Sequence, residues 1–237
     1  MFAEQSEFNI RCEWGERGVA ALAPISDVVI IVDVLSFCTC VDIAVSRGAM
    51  VYPFAWKDER ATAFAAEKKA HLAKGRGSGG YSLSPASLVS IEAGARLVLP
   101  SPNGSALTQR TGKTPTLAGC LRNASAVAQA ATQIGQNIAV IPAGERWPDH
   151  SLRPAIEDWI GAGAIIAELT GIRSPEAQLA AGAFASSISN LGEIISRSAS
   201  GKELIGKGFS EDVRLACELN ISTFTPGYCD EAYRVRG

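Results

Sequence analysis

The stretch Val28-Val29-Ile30-Ile31-Val32-Asp33, running on into Val34-Leu35-Ser36-Phe37-Cys38-Thr39-Cys40, decides the fold class. A short β-branched run closed by a charge reads as a strand buried on both faces, the pattern of a parallel strand. Asp33 then stands at its carboxyl end, on the rim where open α/β sheets place their ligand sites.

Working outward, similar runs predict strands over 28–34, 49–54, 96–99, 116–118 and 137–141. Alanine-rich segments between them predict helices over 37–46, 57–73, 105–110, 123–133 and 154–169. The alternation implies an α/β chain of layered α/β/α type, with a mostly parallel or mixed sheet. After Thr170 no further strand is expected; 175–198 and 211–219 read as helices, a helix-rich C-terminal part from about 171. The whole of 1–237 reads as a single domain, with two lobes as the alternative.

Composition narrows the function. A net charge of −2 with no Lys/Arg cluster excludes a nucleic-acid surface. The apolar runs break before spanning length, so no membrane is expected. Glu4 and Glu7 lie where a secretion signal would carry bases, and the expected location is cytoplasmic. The six cysteines show no close pairing and read as thiols. The two histidines, His71 and His150, are too few for a His-rich metal site, and His71 reads as solvated in a charged helix.

Familiar phosphate motifs fail on inspection. Gly75 to Gly80 spells G-x-G-x-x-G, but it follows a predicted helix rather than a strand. Gly112-Lys113-Thr114 ends like a phosphate-binding loop, with Leu107 where its first glycine belongs. No Asp stands at 35, and no Cys is followed six residues later by Arg, which excludes two common phosphatase patterns.

What remains is acidic and glycine-bounded. Asp33 is either a metal ligand or the cap of the helix that follows it. Ser101, Asn103, Gly104 and Ser105 form a strand-to-helix loop suited to an anion or to an ordinary turn. Arg122 and Asn123 open another helix, with an anion role and a plain cap both open. Glu145 and Arg146 precede a helix whose first turn holds Glu157 and Asp158. Adjacent helical residues point about 100° apart, so those two acids are not expected on one ion together. Arg76, in the glycine-rich stretch 74–82, lies on the best candidate for a mobile loop. Oxygen ligands without His or Cys suit Mg²⁺.

The order of these pieces resembles the 2-phosphosulfolactate phosphatase (ComB-like) family. The resemblance rests on Val32-Asp33-Val34-Leu35 with Thr39, Ser84-Pro85, Ser101 to Ser105, Asn123 to Ala126, Ala143-Gly144-Glu145, and Ile156-Glu157-Asp158 with Gly161-Ala162-Gly163. Gly208 to Asp212, Cys217, Asn220 and Pro226 extend it. It implies a Mg²⁺-dependent phosphatase that converts 2-phospho-3-sulfolactate to sulfolactate in coenzyme M biosynthesis, on a distinct α/β fold. Asp33, Glu145, Glu157 and Asp158 would be the catalytic and metal-binding acids. Ser36, Arg76, Ser101, Asn103, Gly104, Ser105, Arg122, Asn123 and Arg146 would hold the substrate. The chain departs at Ser36, where the family commonly has Arg, and at Cys38; Arg76 is the candidate to take over anion binding. The expected partner is a small phosphorylated, sulfonated acid, and a homo-oligomer is left open. The alternatives are a phosphatase for another phosphorylated 2-hydroxy acid and a non-catalytic anion binder.

Overall fold

A computed structural model describes residues 2–56 and 58–236. The strands are β1 (Ile10–Cys12), β2 (Val28–Val32), β3 (Met50–Phe54), β4 (His71–Leu72), β5 (Arg96–Pro100), β6 (Thr116–Gly119), β7 (Ile138–Pro142), β8 (Glu145–Arg146), β9 (Leu152–Arg153), β10 (Pro226–Cys229) and β11 (Ala232–Val235). The helices are α1 (Gly15–Leu22), α2 (Phe37–Ser46), α3 (Glu59–Glu67), α4 (Gly104–Arg110), α5 (Ala124–Ile134), α6 (Ile156–Glu168), α7 (Pro175–Ser187), α8 (Leu191–Arg197), α9 (Ala199–Gly206) and α10 (Ser210–Ala216).

Among the described residues nine strands form one mixed sheet in the order β1-β7-β2-β6-β10-β11-β3-β5-β4. β2 shows why its sequence is uniformly apolar. Ile30 and Val32 enter one core with α5, α6 and α7, while Val29 and Ile31 enter another with α1, α2 and α4. Alternate side chains of a strand face opposite ways, so a strand covered on both faces must be apolar throughout. Burying each such side chain contributes about 1.5–3 kcal/mol. On one face α6 and α7 pack so closely that a Cβ at Gly163 would lie 2.0 Å from the carbonyl oxygen of Ala180.

The pairing is parallel within β1-β7-β2-β6 and within β3-β5-β4. The β10–β11 hairpin joins the two groups through antiparallel pairs, which reverses one group against the other. Sheet twist accumulates about 20–25° per neighbouring strand. Between β2 and β5 it therefore turns the reversed half through about 100–125°, enough for the end of β5 to return toward the end of β2. One core cluster accordingly joins α2 to residues of β7, β2, β6, β11, β3 and β5.

Three expectations need correction. Strands do not stop at Thr170, because β10 and β11 lie in the middle of the sheet. Their turn is Asp230-Glu231, with φ of 48° and 64°. Such two-residue turns are usually written Asn-Gly or Asp-Gly, so the hairpin carried no turn signal. Of the helix expected over 57–73, Lys57 lies outside the described residues and the rest holds only α3; the chain turns at Lys69 (φ 50°) and runs into β4. His71 is thus on an edge strand, exposed, with its ring 5.6 Å from that of Tyr81. A strand therefore does precede the glycine-rich loop, but no helix opens from it, so the dinucleotide reading still fails. β1, three residues long, was too short to read. Among the described residues no helix is long and apolar enough to cross a membrane.

Tyr233 of β11 tests how firmly the hairpin is built in. It is fully buried, packs its ring 6.0 Å from Phe37, and shares a 2.8 Å hydrogen bond with Thr108 Oγ1. Tyr233→Ala is expected to cost about 3–5 kcal/mol in urea unfolding, and Tyr233→Phe about 1 kcal/mol. A loss below about 1 kcal/mol for the alanine variant would show that the hairpin adds little to the sheet.

Candidate active site

Parallel register gathers the loops. Val32 of β2 lies opposite both Gly119 of β6 and Pro142 of β7, so the segments following all three strands leave from one rim. Two aspartates then tie loops together. Asp33, 4 % exposed, accepts from Phe37 N through Oδ1 and from Gly104 N through Oδ2, each at 2.9 Å. It therefore caps the first turn of α2 and holds the start of α4 with the same carboxylate. Asp158 accepts from Val34 N at 2.7 Å and from Gly144 N at 2.9 Å, joining the loop after β2 to the loop after β7. Gly104 permits this closeness. A Cβ there would fall 2.3 Å from the Phe37 ring and 2.8 Å from Asp33 Oδ2.

The two glutamates are held differently. Glu157, 2 % exposed, accepts no hydrogen bond from any described residue. Glu145 lies on β8, opposite Arg153 of β9, and accepts from Asn103 Nδ2 through Oε2 at 2.8 Å. Burial, then the charge of Asp33, pushes the Glu145 carboxyl up to about 7, against the Asn103 hydrogen bond. Burial also raises Asp33, opposed by its two backbone donors. It raises Asp158 well above the usual range, with Asp33 and Glu157 adding to the effect. The four acids thus lie within one another's field. Arg76 opposes the shift at Asp33 and Arg153 that at Glu145.

The expected substrate-binding residues divide. Arg76 reaches the site: Nη2 donates to Ser36 Oγ at 2.7 Å, and Nε pairs with Asp212 at 3.3 Å. A guanidinium therefore lies against the Ser36 hydroxyl. Ser101 accepts from Asn103 N at 3.2 Å and lines a cleft of about 580 Å³ with Lys74, Arg76, Lys207 and Phe209. Asn103, Glu145, Arg146 and His150 border a second cleft of about 430 Å³. Ser105 is fully buried and donates its hydroxyl to Leu99 O. Arg122 is committed elsewhere, to Asp42, Glu218 and Leu215 O. Asn123 accepts from Cys120 N and donates to Ala118 O. Arg146 is exposed and pairs with Glu16. Asn123 stands at the start of α5 but its side chain caps no donor of that helix; its hydrogen bonds instead fasten the turn after β6.

Sequence reasoning did not single out Asp212 or Arg153. Asp212 is 1 % exposed and accepts from Ser84 Oγ at 2.5 Å and Ala86 N at 3.1 Å. Its signal was faint, a position in the last stretch of the resemblance. Nothing local links residues 128 apart.

All donors in the acidic group are oxygens, the set that suits a hard cation. Burial and mutual repulsion make the charged forms of these carboxyls costly, a cost that a bound cation would offset. Among the described residues no group of three His, Cys, Asp or Glu side chains is arranged to hold a metal ion. Mg²⁺ asks for less, one or two carboxylates completed by water and a phosphate, and to that requirement the residues fit.

Comparison with known proteins places the geometry in a lineage. Residues 19–231 match the family model described as 2-phosphosulpholactate phosphatase. The chain is 32 % identical over 209 residues to a 2-phosphosulfolactate phosphatase of Methanothermobacter thermautotrophicus, covering 86 % of this chain and 88 % of that one. It is 32 % identical over 210 residues to a probable 2-phosphosulfolactate phosphatase of Carboxydothermus hydrogenoformans, covering 84 % of each.

Two outcomes follow from these contacts. In Asp33→Asn one amide N–H must face a backbone N–H, so the variant should lose about 1–3 kcal/mol in urea unfolding. Unchanged stability would mean that Asp33 does not clamp both helices. Glu145 fixes a pH dependence. Unfolded, its carboxyl titrates near 4.5; folded, near 7, so the folded chain holds the extra proton between these values. Metal-free protein should therefore lose stability as pH rises through that window, and Glu145→Gln should flatten the slope. Denaturation midpoints in chelator across the window decide it; equal slopes for the two proteins would refute the assignment.

Proposed function

We propose that this chain, which belongs to the 2-phosphosulpholactate phosphatase family, hydrolyses the phosphate monoester of 2-phospho-3-sulfolactate. The products are sulfolactate and phosphate, the reaction is Mg²⁺-dependent, and the setting is a cytoplasmic step of the coenzyme M type. The observation that carries this reading is the juxtaposition of three buried carboxyls and the half-buried Glu145 with a cleft that displays cationic side chains. A bare anion-binding protein would gain nothing from those acids, since they repel the ligand.

Asp33 and Glu145 would hold Mg²⁺, the first through the lone pairs left by its two backbone donors, the second through the oxygen that Asn103 does not use. The bound ion would offset charge on the phosphate oxygens and make a coordinated water more acidic. Glu157, whose oxygens receive no hydrogen bond from any described residue, is the group free to take the proton of the attacking water. Asp158 keeps the loops after β2 and β7 together, which sets where Glu145 stands. The Ser101–Gly104 segment receives the phosphate. Phosphoryl transfer needs little covalent help from a protein, so placing charge is most of the work. No thiol is assigned a role: Cys38, Cys40 and Cys120 are buried, and burial raises all three.

Activity on 2-phospho-3-sulfolactate should disappear in chelator, return with Mg²⁺, and survive alkylation of the exposed Cys229. Glu145→Gln should lower turnover and weaken Mg²⁺ activation by roughly 10–100-fold, the usual scale for groups that organise a metal. Asn103→Ala leaves the carboxylate in place and should mainly raise KM. Full activity in chelator, or loss of activity on alkylation of a still-folded protein, would overturn the metal mechanism.

A further inference from the structure

The glycine-rich loop owes its shape to Gly77, Gly79 and Gly80, all with φ between 74° and 80°. That shape sends Arg76 out of the loop to three contacts: Ser36 Oγ, the Asp212 carboxylate, and the face of the Phe209 ring 5.7 Å away. These contacts leave Nη1 without a protein acceptor among the described residues, on a side chain that lines the 580 Å³ cleft. Asp212 is fixed more tightly than the arginine it holds. It is buried, its Oδ1 is occupied by Ser84 and Ala86, and its Oδ2 is given to Arg76. Lys74 and Lys207 line the same cleft; Lys207 already pairs with Glu203, whereas no described residue pairs with Lys74.

We infer that Arg76 is the specificity residue for the second anionic arm of the substrate, the sulfonate, and that Asp212 is the positioning residue that aims it. The inference rests on the phosphatase reading above and deepens it. A sulfonate stays ionised at any working pH and presents three oxygens. It is matched by a guanidinium that also keeps its charge and by a neighbouring ammonium. Ser36 sets the depth of the guanidinium beside the start of α2, and Asp212 sets its plane through Nε. Nη1 is then left unspent on a side chain that lines the cleft. The phosphate is left to the acidic group and its cation, so the two anionic ends of the substrate are read by different parts of the fold.

The test compares 2-phospho-3-sulfolactate with phospholactate, which has hydrogen in place of the sulfonate. Arg76→Gln should raise KM for the sulfonated substrate about tenfold, the scale of one charge-assisted hydrogen bond. Phospholactate should be affected far less than the sulfonated substrate, so that the ratio of the two KM values carries the assignment. Asp212→Asn should shift the same ratio in the same direction, and the double variant should be no worse than Arg76→Gln alone. Arg76→Lys should restore part of the discrimination. Equal losses on both substrates overturn the assignment of Arg76, and an Asp212→Asn effect that adds in full to that of Arg76→Gln overturns the positioning role. If Asp212→Asn fails to fold, Arg76→Gln and Arg76→Lys, altered on the loop, still decide by the same ratio. A wild-type protein with no turnover on either substrate would defeat the phosphatase reading instead. Calorimetric binding of sulfolactate to wild type and Arg76→Gln would then judge Arg76 separately, with equal affinities counting against it.

Discussion

The two hydrogen bonds accepted by Asp33 are the constraint on which the site depends. One oxygen takes the first N–H of α2, the other takes the first N–H of α4, across 71 residues of chain. The strands before these helices belong to oppositely directed halves of the sheet, and nothing in local sequence requires their ends to meet. The carboxylate supplies the reason: each helix start has unsatisfied donors, and one buried acid satisfies both. Asp158 repeats the arrangement for the loops after β2 and β7. The acids that would do chemistry are thus partly the acids that hold the loops, and the choice between cap and ligand posed for Asp33 is not exclusive.

The legible parts of this chain were those whose signal is local. The β2 run, the helix over 37–46 and the strand-to-helix turn around Gly104 are written in consecutive residues, and the structure has them within two residues. Periodicity could not show the β10–β11 hairpin, because its turn uses Asp and Glu where glycine is the usual signal. It could not show where long side chains go. Arg122 and Arg76 look equivalent as loop arginines, yet Arg122 is consumed by Asp42 and Glu218, while Arg76 crosses to Ser36. What separated them was the position of acids far away in sequence. Asp212 was hidden for the same reason.

Charge explains why the site is built as it is. A lone buried carboxylate is costly, and four in one region are costlier still, so the surrounding groups work against that cost in different ways. Backbone N–H groups serve Asp33 and Asp158, Asn103 serves Glu145, and Glu157 receives none from the described residues. The fold keeps this arrangement rigid through the sheet rim on one side and α6 on the other. The glycine-rich loop contributes its cation from outside.

The placement of β10 and β11 also bears on how the chain comes to be folded. They are the last strands in chain order, yet they lie at the centre of the sheet between β6 and β3. During synthesis, which adds about 5–20 residues per second, the two parallel groups can form long before the hairpin that joins them exists. Until then β6 and β3 are bare edges, open to pairing with other chains. The acidic rim and the anion cleft are formed by segments that precede the hairpin, but their mutual orientation depends on residues 226–235. For this sheet the hairpin is a keystone, and a nascent chain stalled before it would be an adhesive one.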